Sequence, residues 1–135
     1  MKRKVYVETS VISYLTARPS KTILGAAHQQ ITLAWWETRS QYELLVSEAV
    51  LRECGAGDPD AAEKRLAVLT DVPLLLITEQ ALHIAESLVG HGILPVKAAE
   101  DALHIAVATV SGMDYLLTWN CRHIANPEIQ RCIAE

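Results

Sequence analysis

KVYVETSVISYL, residues 4–15, contains a strand pattern, an acid and a helix pattern in direct succession. The β-branched and aromatic run at 5–7 favours a strand over 4–7, and residues 10–17 have the apolar spacing of a short helix. Glu8 stands between the two segments. Because carboxylates are rarely buried without a partner, Glu8 is either a helix cap in a solvated turn or a ligand at the end of a strand.

The rest of the chain repeats this change from strand to helix. Further strands are predicted at 42–46, 72–77 and 114–119. Helices are predicted at 21–40, 47–54, from 58 onward, at 78–90, at 96–112 and at 126–135. Strands that alternate with helices predict an α/β fold with a central parallel sheet of about four strands and helices on both faces.

Local patterns assign faces and caps to some of these elements. The helix over 21–40 is predicted to bury one apolar stripe made of Ile23, Leu24, Ala27, Ile31, Ala34 and Trp35. The continuous apolar run at 72–77 predicts a strand that is buried on both faces. Ser47 is a predicted N-cap, and Asp60 with Glu63 has the spacing of a capping box.

Composition limits the class of protein. With 135 residues, of which 50% are hydrophobic and 21% charged, the chain is predicted to form one globular domain, 1–135. No apolar run reaches the length of a membrane span, and Glu8 interrupts the N-terminal run too early for a signal peptide, which predicts a cytoplasmic protein. The three cysteines form no CxxC pair, so neither a disulfide framework nor a structural zinc site is expected.

Several acids are expected to meet at one edge of the sheet. Glu8 follows the first strand, Glu53 lies in the helix after the second, and Asp101 begins the helix before the last strand. Converging carboxylates repel one another unless a cation joins them. Oxygen ligands without a thiolate suit a hard ion such as Mg²⁺ or Mn²⁺. The net charge of −4 argues against a broad phosphate-binding surface, but a bound cation supplies positive charge locally.

Four segments carry a family resemblance. VYVETSVIS, LLVSEAVLREC, AAEDALHIAVAT and YLLTWNCRHIAN resemble, in order and over nearly the whole chain, the motifs of the PIN-domain family and, within it, the VapC-type toxins of prokaryotic toxin–antitoxin pairs. The resemblance implies a PIN-like three-layer αβα fold and a metal-dependent endoribonuclease. It assigns Glu8, Glu53 and Asp101 to the metal site, with Asn120 at the fourth motif position. It also implies a further helix-and-strand segment beyond Glu135.

The resemblance implies a division of roles within that site. Glu8 and Asp101 would bind the ion most directly, while Glu53 would hold a ligand water or a second ion. Asn120 would orient water or phosphate together with either Thr9 or Ser10. Thr118 would order the backbone of the last motif. RNA is the implied substrate, and a small antitoxin and a second copy of the chain are the implied partners.

Two departures from the family pattern leave an alternative open. The first acid is Glu8 where the family usually has Asp, and Asn120 replaces a frequent Asp and loses its charge. The residues therefore favour catalysis with one bound metal ion over catalysis with two. The alternative function is a PIN-like nucleic-acid-binding or regulatory module with weakened catalysis.

Other residues near the predicted site can each be interpreted in two ways. His104, three residues after Asp101, is either a metal ligand or general base or, as we favour, a partly buried histidine satisfied by Glu100 or a backbone group. One residue of the Trp35–Trp36 pair is expected in the core, with the other on a neighbouring surface. Trp119 either stacks on a nucleobase or forms a wall of the cleft.

Overall fold

The computed structural model describes residues 1–120, Arg122 and Ile124, and its centre is a parallel sheet. The four strands are β1 (Arg3–Val7), β2 (Tyr42–Ser47), β3 (Leu74–Leu75) and β4 (Tyr115–Leu117). Their order across the sheet is β3-β2-β1-β4, and every pair is parallel. The predicted α/β class with about four parallel strands is therefore confirmed. The helix predicted at 126–135 lies outside the described residues, as do Cys121 and Cys132.

Helices connect the strands. They are α1 (Thr9–Thr16), α2 (Ile23–Trp36), α3 (Glu48–Cys54), α4 (Pro59–Val68), α5 (Glu79–Gly90) and α6 (Ala99–Val110), with short 3-10 turns at Arg39–Gln41 and Val96–Ala98. Helix α5 packs against α6, and α1 contacts α2, α3 and α4. Across the part of the chain that the structure describes, none of these helices has the length and apolarity to cross a bilayer.

The hydrophobic core lies around β1 and α6. Residues Val5, Tyr6 and Val7 of β1 are buried, as expected for a strand with neighbours on both sides. In α6 every residue from Ala102 to Ala108 is buried. Its alanines allow the helix to approach its neighbours closely.

The predicted buried face of α2 is wrong. Ile23 is 92% exposed and Leu24 68%, and of the predicted stripe only Trp35 packs against the core. The buried positions of α2 are polar instead, Gln29 and Thr32. The Gln29 amide donates to the carbonyl of Arg18 (2.8 Å) and accepts from the amide of Ser20 (2.7 Å). Side-chain hydrogen bonds to the preceding loop therefore decide which face of α2 turns inward.

The expectation for residues 72–77 is also wrong in part. A strand forms there, but it covers only Leu74–Leu75, and Leu74 and Leu76 are exposed. Among the described strands β3 pairs only with β2, so it is an edge strand. Pro73 lacks the amide proton that a central strand needs, which restricts this segment to an edge.

Two caps differ from their predictions. Helix α4 is capped by Asp58, whose carboxylate accepts from the amide of Ala61 at 3.0 Å, and the predicted box at Asp60 is not used. Pro59 fits the first helical position, which makes the preceding residue the cap. Ser47 does precede α3, but its hydroxyl makes no capping bond and instead contacts the Tyr6 hydroxyl at 2.8 Å.

Candidate active site and metal centre

Glu8 lies at the carboxyl end of β1 and is the N-cap of α1. Its side chain is buried, with the residue only 5% exposed. The carboxylate accepts from the backbone amide of Ser10 (3.1 Å), the hydroxyl of Ser10 (2.5 Å) and the hydroxyl of Thr118 (2.6 Å). Glu8 is thus a cap, and the same bonds tie it to the end of β4.

Glu53 approaches the same edge from the last turn of α3. Its Oε1 accepts from the Thr9 hydroxyl (2.5 Å) and from Nε2 of His104 (2.6 Å). Burial raises the pKa of Glu53, but the hydrogen bonds from His104 and Thr9, together with the electrostatic effects of His104 and Arg52, lower it, and the net shift is below the ordinary glutamate value. Glu53 is therefore a carboxylate at neutral pH. Its second oxygen makes no hydrogen bond to the described residues, which leaves that oxygen able to bind an ion.

His104 is fully buried behind Glu53, with both ring nitrogens bonded. Nδ1 lies 2.7 Å from the Tyr6 hydroxyl, which in turn contacts Ser47. An ionised Glu53 only accepts, so Nε2 carries a proton; in the neutral imidazole Nδ1 then accepts from Tyr6. Burial raises the pKa of Tyr6 and keeps its hydroxyl protonated. The result is a continuous hydrogen-bond chain from Ser47 through Tyr6 and His104 to Glu53.

This environment corrects the expectation for His104. The histidine is completely buried, and its partners are Glu53 and Tyr6 instead of Glu100 or a backbone group. Glu100 binds Arg52 at 2.8 Å, an exposed ion pair between α6 and α3. A tyrosine at the centre of a buried strand needs a partner for its hydroxyl. That requirement was the one signal in the sequence that could have pointed to the bond with His104.

Glu8, Glu53 and His104 form the group that could hold a cation within residues 1–120. One ligand atom from each lies within 4.8 Å of the others. Two oxygens on opposite sides of one Mg²⁺ are about 4.2 Å apart, so the spacing is close to that required by a single ion. Both Nε2 and Nδ1 of His104 are already hydrogen-bonded, and a hard ion prefers oxygen. The two carboxylates therefore fit a divalent cation, with His104 supporting Glu53 from behind.

The other predicted site residues lie around this pair. Thr9, Ser10 and Thr118 all bond directly to one of the two carboxylates. The amide of Asn120 donates to the Thr118 hydroxyl at 2.8 Å, and the side-chain oxygen of Asn120 accepts from the backbone of Arg122 at 3.2 Å. The residues after β1 and those after β4 thus contribute side chains to one edge of the sheet.

Asp101 is not in the three-residue group. It lies in the first turn of α6, one helical turn before His104 and on the same side of the helix. Its side chain is partly buried. Its assignment as a direct ligand remains a prediction.

Comparison with solved structures identifies the fold. The chain matches the crystal structure of VapC20 from Mycobacterium tuberculosis, described as a sarcin–ricin loop cleaving toxin, with a TM-score of 0.64 and 21% sequence identity over 95% of this chain and 94% of that one. A scan of family models gives no match. A search of curated proteins also gives none. The fold is that of VapC20, which confirms the PIN-like α/β fold that the resemblance implies.

Proposed function

We propose that this protein is a metal-dependent endoribonuclease of the toxin type, which hydrolyses RNA phosphodiester bonds with Mg²⁺ or Mn²⁺. The observation that carries the proposal is the pair Glu8 and Glu53 at the carboxyl edge of the sheet, with one ligand atom of each within 4.8 Å of the other. The shared fold with a toxin described as cleaving the sarcin–ricin loop supports the same reaction class.

Each residue of the site has a role in this proposal. Glu8, Glu53 and Asp101 would hold the cation, which when bound would supply a Lewis acid for the phosphodiester and a water of lowered pKa for the attack. Thr9 and His104 fix the Glu53 carboxylate through hydrogen bonds of 2.5 and 2.6 Å. Ser10 and Thr118 fix Glu8 in the same way. Asn120 orients water or phosphate beside Thr118, because its amide group can donate and accept.

The test is a cleavage assay with the purified protein and single-stranded RNA. Cleavage should require Mn²⁺ or Mg²⁺, cease in a chelator and be abolished by Asp101→Asn. Glu100→Gln is the matched control, since it alters the neighbouring carboxylate, whose described partner is Arg52. RNA binding without metal-dependent cleavage would replace this proposal with the alternative, a nucleic-acid-binding or regulatory module.

The proposal includes partners and a compartment. A small antitoxin would place a segment in the acidic cleft, two copies of the chain would form a homodimer, and the reaction would take place in the cytoplasm. Exposed apolar side chains on α2, among them Ile23 and Leu24, support a protein interface. Adding the product of a short adjacent reading frame to the cleavage assay tests the antitoxin, which should stop the reaction.

A further inference from the structure

An apolar cleft opens beside the acidic site. It has a volume of about 200 Å³, and its walls include Val11, Ile31, Trp35 and Trp119. Thr118 lines the same cleft and also donates to the Glu8 carboxylate at 2.6 Å. The cleft and the carboxylates are therefore separated by a single side chain.

Trp119 is held in place on several sides. Its indole nitrogen donates to the Thr32 hydroxyl at 2.8 Å, and its backbone amide donates to the Ser10 hydroxyl at 2.8 Å. His28 stacks on the indole with ring centroids 4.0 Å apart and an interplanar angle of 17°. His28 does not line the cleft, so the stack and the cleft contact different parts of the indole. The ring is oriented before any ligand arrives, and little freedom is lost on binding.

The hydroxyl group beside this ring is already hydrogen-bonded within the protein. The Thr32 hydroxyl accepts from Trp119 and donates to the carbonyl of His28 at 2.6 Å. What remains in the cleft is flat aromatic and aliphatic surface. A ligand here is bound by stacking and apolar contact, without hydrogen bonds that distinguish one base from another.

Geometry limits what that ligand can be. A phosphodiester bound at Glu8 carries a base that is covalently tethered within one nucleotide of the scissile bond. Single-stranded RNA presents unstacked bases, which proteins bind on aromatic side chains. The cleft beside Thr118 is the apolar surface next to that phosphate position.

We propose that the cleft between α2 and the end of β4 is a nucleobase subsite, in which a base adjacent to the scissile phosphate stacks against Trp119. The inference rests on the proposed ribonuclease function and adds a subsite to it. Trp119 is a binding residue with little base selectivity, so sequence preference must come from other contacts.

Binding measurements test the subsite without requiring cleavage. We would measure the dissociation constant of a short fluorescein-labelled single-stranded RNA by anisotropy, with Ca²⁺ in place of Mn²⁺. Trp119→Leu should weaken binding about 5- to 100-fold, which is the usual range for one base stacked on one aromatic ring. Trp36→Leu, which changes a tryptophan of α2 that does not line the cleft, should change binding less than about twofold. Equal affinities for both variants would overturn the proposal.

A second measurement uses the unchanged protein, so it does not depend on how a variant folds. RNA containing 5-iodouridine is irradiated in complex with the protein, and the cross-linked peptides are identified by mass spectrometry. A cross-link to Trp119 supports the subsite. Cross-links confined to other peptides, or no cross-links at all, overturn the subsite. The cleft would then be assigned to binding an apolar side chain of a protein partner. If the protein cleaves RNA but gives no cross-link to Trp119, the proposed function stands and the subsite is rejected. If Trp119 cross-links to RNA but no cleavage occurs, the subsite stands and the ribonuclease function is rejected.

Discussion

Glu53 is held at its position by two donors, the Thr9 hydroxyl and Nε2 of His104, and His104 is held in turn by Tyr6. A ligand supported in this way keeps its orientation when an ion binds, because its supports are already paired and His104 and Tyr6 are buried. At the scale of single residues, the site therefore depends on His104 as well as on the carboxylate that it supports.

Replacing His104 tests this dependence. In His104→Leu the donor to Glu53 is lost, and we expect Mn²⁺ affinity, measured by isothermal titration calorimetry, to fall about 10- to 100-fold. His83→Leu is the matched control, because it makes the same substitution at an exposed position of α5 and should leave Mn²⁺ affinity unchanged. Full Mn²⁺ affinity in a folded His104→Leu protein would show that Glu53 needs no such support.

The lowered pKa of Glu53 predicts a pH effect on stability. A carboxyl whose pKa is lower in the folded state stabilises the fold above its unfolded value, near 4.5, and this contribution is lost as pH falls through the folded value. In Glu53→Gln the free energy of unfolding should fall less steeply below pH 4.5 than in the wild type. Urea unfolding between pH 3 and 6 measures the difference. Parallel curves for the two proteins would contradict the lowered pKa.

At the scale of elements, sequence patterns predicted where strands and helices lie better than which faces they bury. Residues 4–7 and 42–46 were predicted as strands and form the paired strands β1 and β2. Helix α2 was assigned the wrong face, because its apolar residues suggested packing while its inward face is set by Gln29 and Thr32. Periodicity reports hydrophobicity alone, and it cannot detect a polar side chain that binds a distant loop.

Gln29 provides a test of this explanation for α2. Gln29→Leu should lower the free energy of unfolding by about 1–3 kcal/mol, because it leaves the amide of Ser20 and the carbonyl of Arg18 without their bonds to Gln29. Gln30→Leu, one position later on the exposed side of the helix, should change it by less than about 0.5 kcal/mol. Chemical denaturation measures both, and equal effects would mean that Gln29 does not fix the helix.

At the scale of the whole molecule, the parallel sheet explains how distant residues meet. Glu8 and Glu53 come from separate segments, and the rule that parallel strands end at one edge of a sheet led to the expectation that they would meet there. Only the family resemblance gave Thr118 a role near this edge. The hydrogen bond between Tyr6 and His104 could not be predicted in the same way, since it depends on how closely α6 packs against β1. That closeness is set by the packing of small residues such as Ala102 and Ala106.

The exposed apolar surface of α2 predicts an oligomer. We expect light scattering coupled to size exclusion to give twice the mass of the chain, because Ile23 and Leu24 would otherwise remain in water. The paired change of Ile23→Lys and Leu24→Lys should shift the protein toward monomer. Val96→Lys, an equally exposed apolar position in another part of the fold, should not. A wild-type monomer at all concentrations tested would contradict a homodimer.

The most direct test of the central claim compares two glutamates on one short helix. Glu53 at the end of α3 bonds to Thr9 and His104 in the site, whereas Glu48 lies exposed in the first turn. Mn²⁺-dependent RNA cleavage is measured for Glu53→Gln and Glu48→Gln side by side. We predict that Glu53→Gln abolishes cleavage and Glu48→Gln retains it; full cleavage by Glu53→Gln would contradict a metal centre at this edge of the sheet.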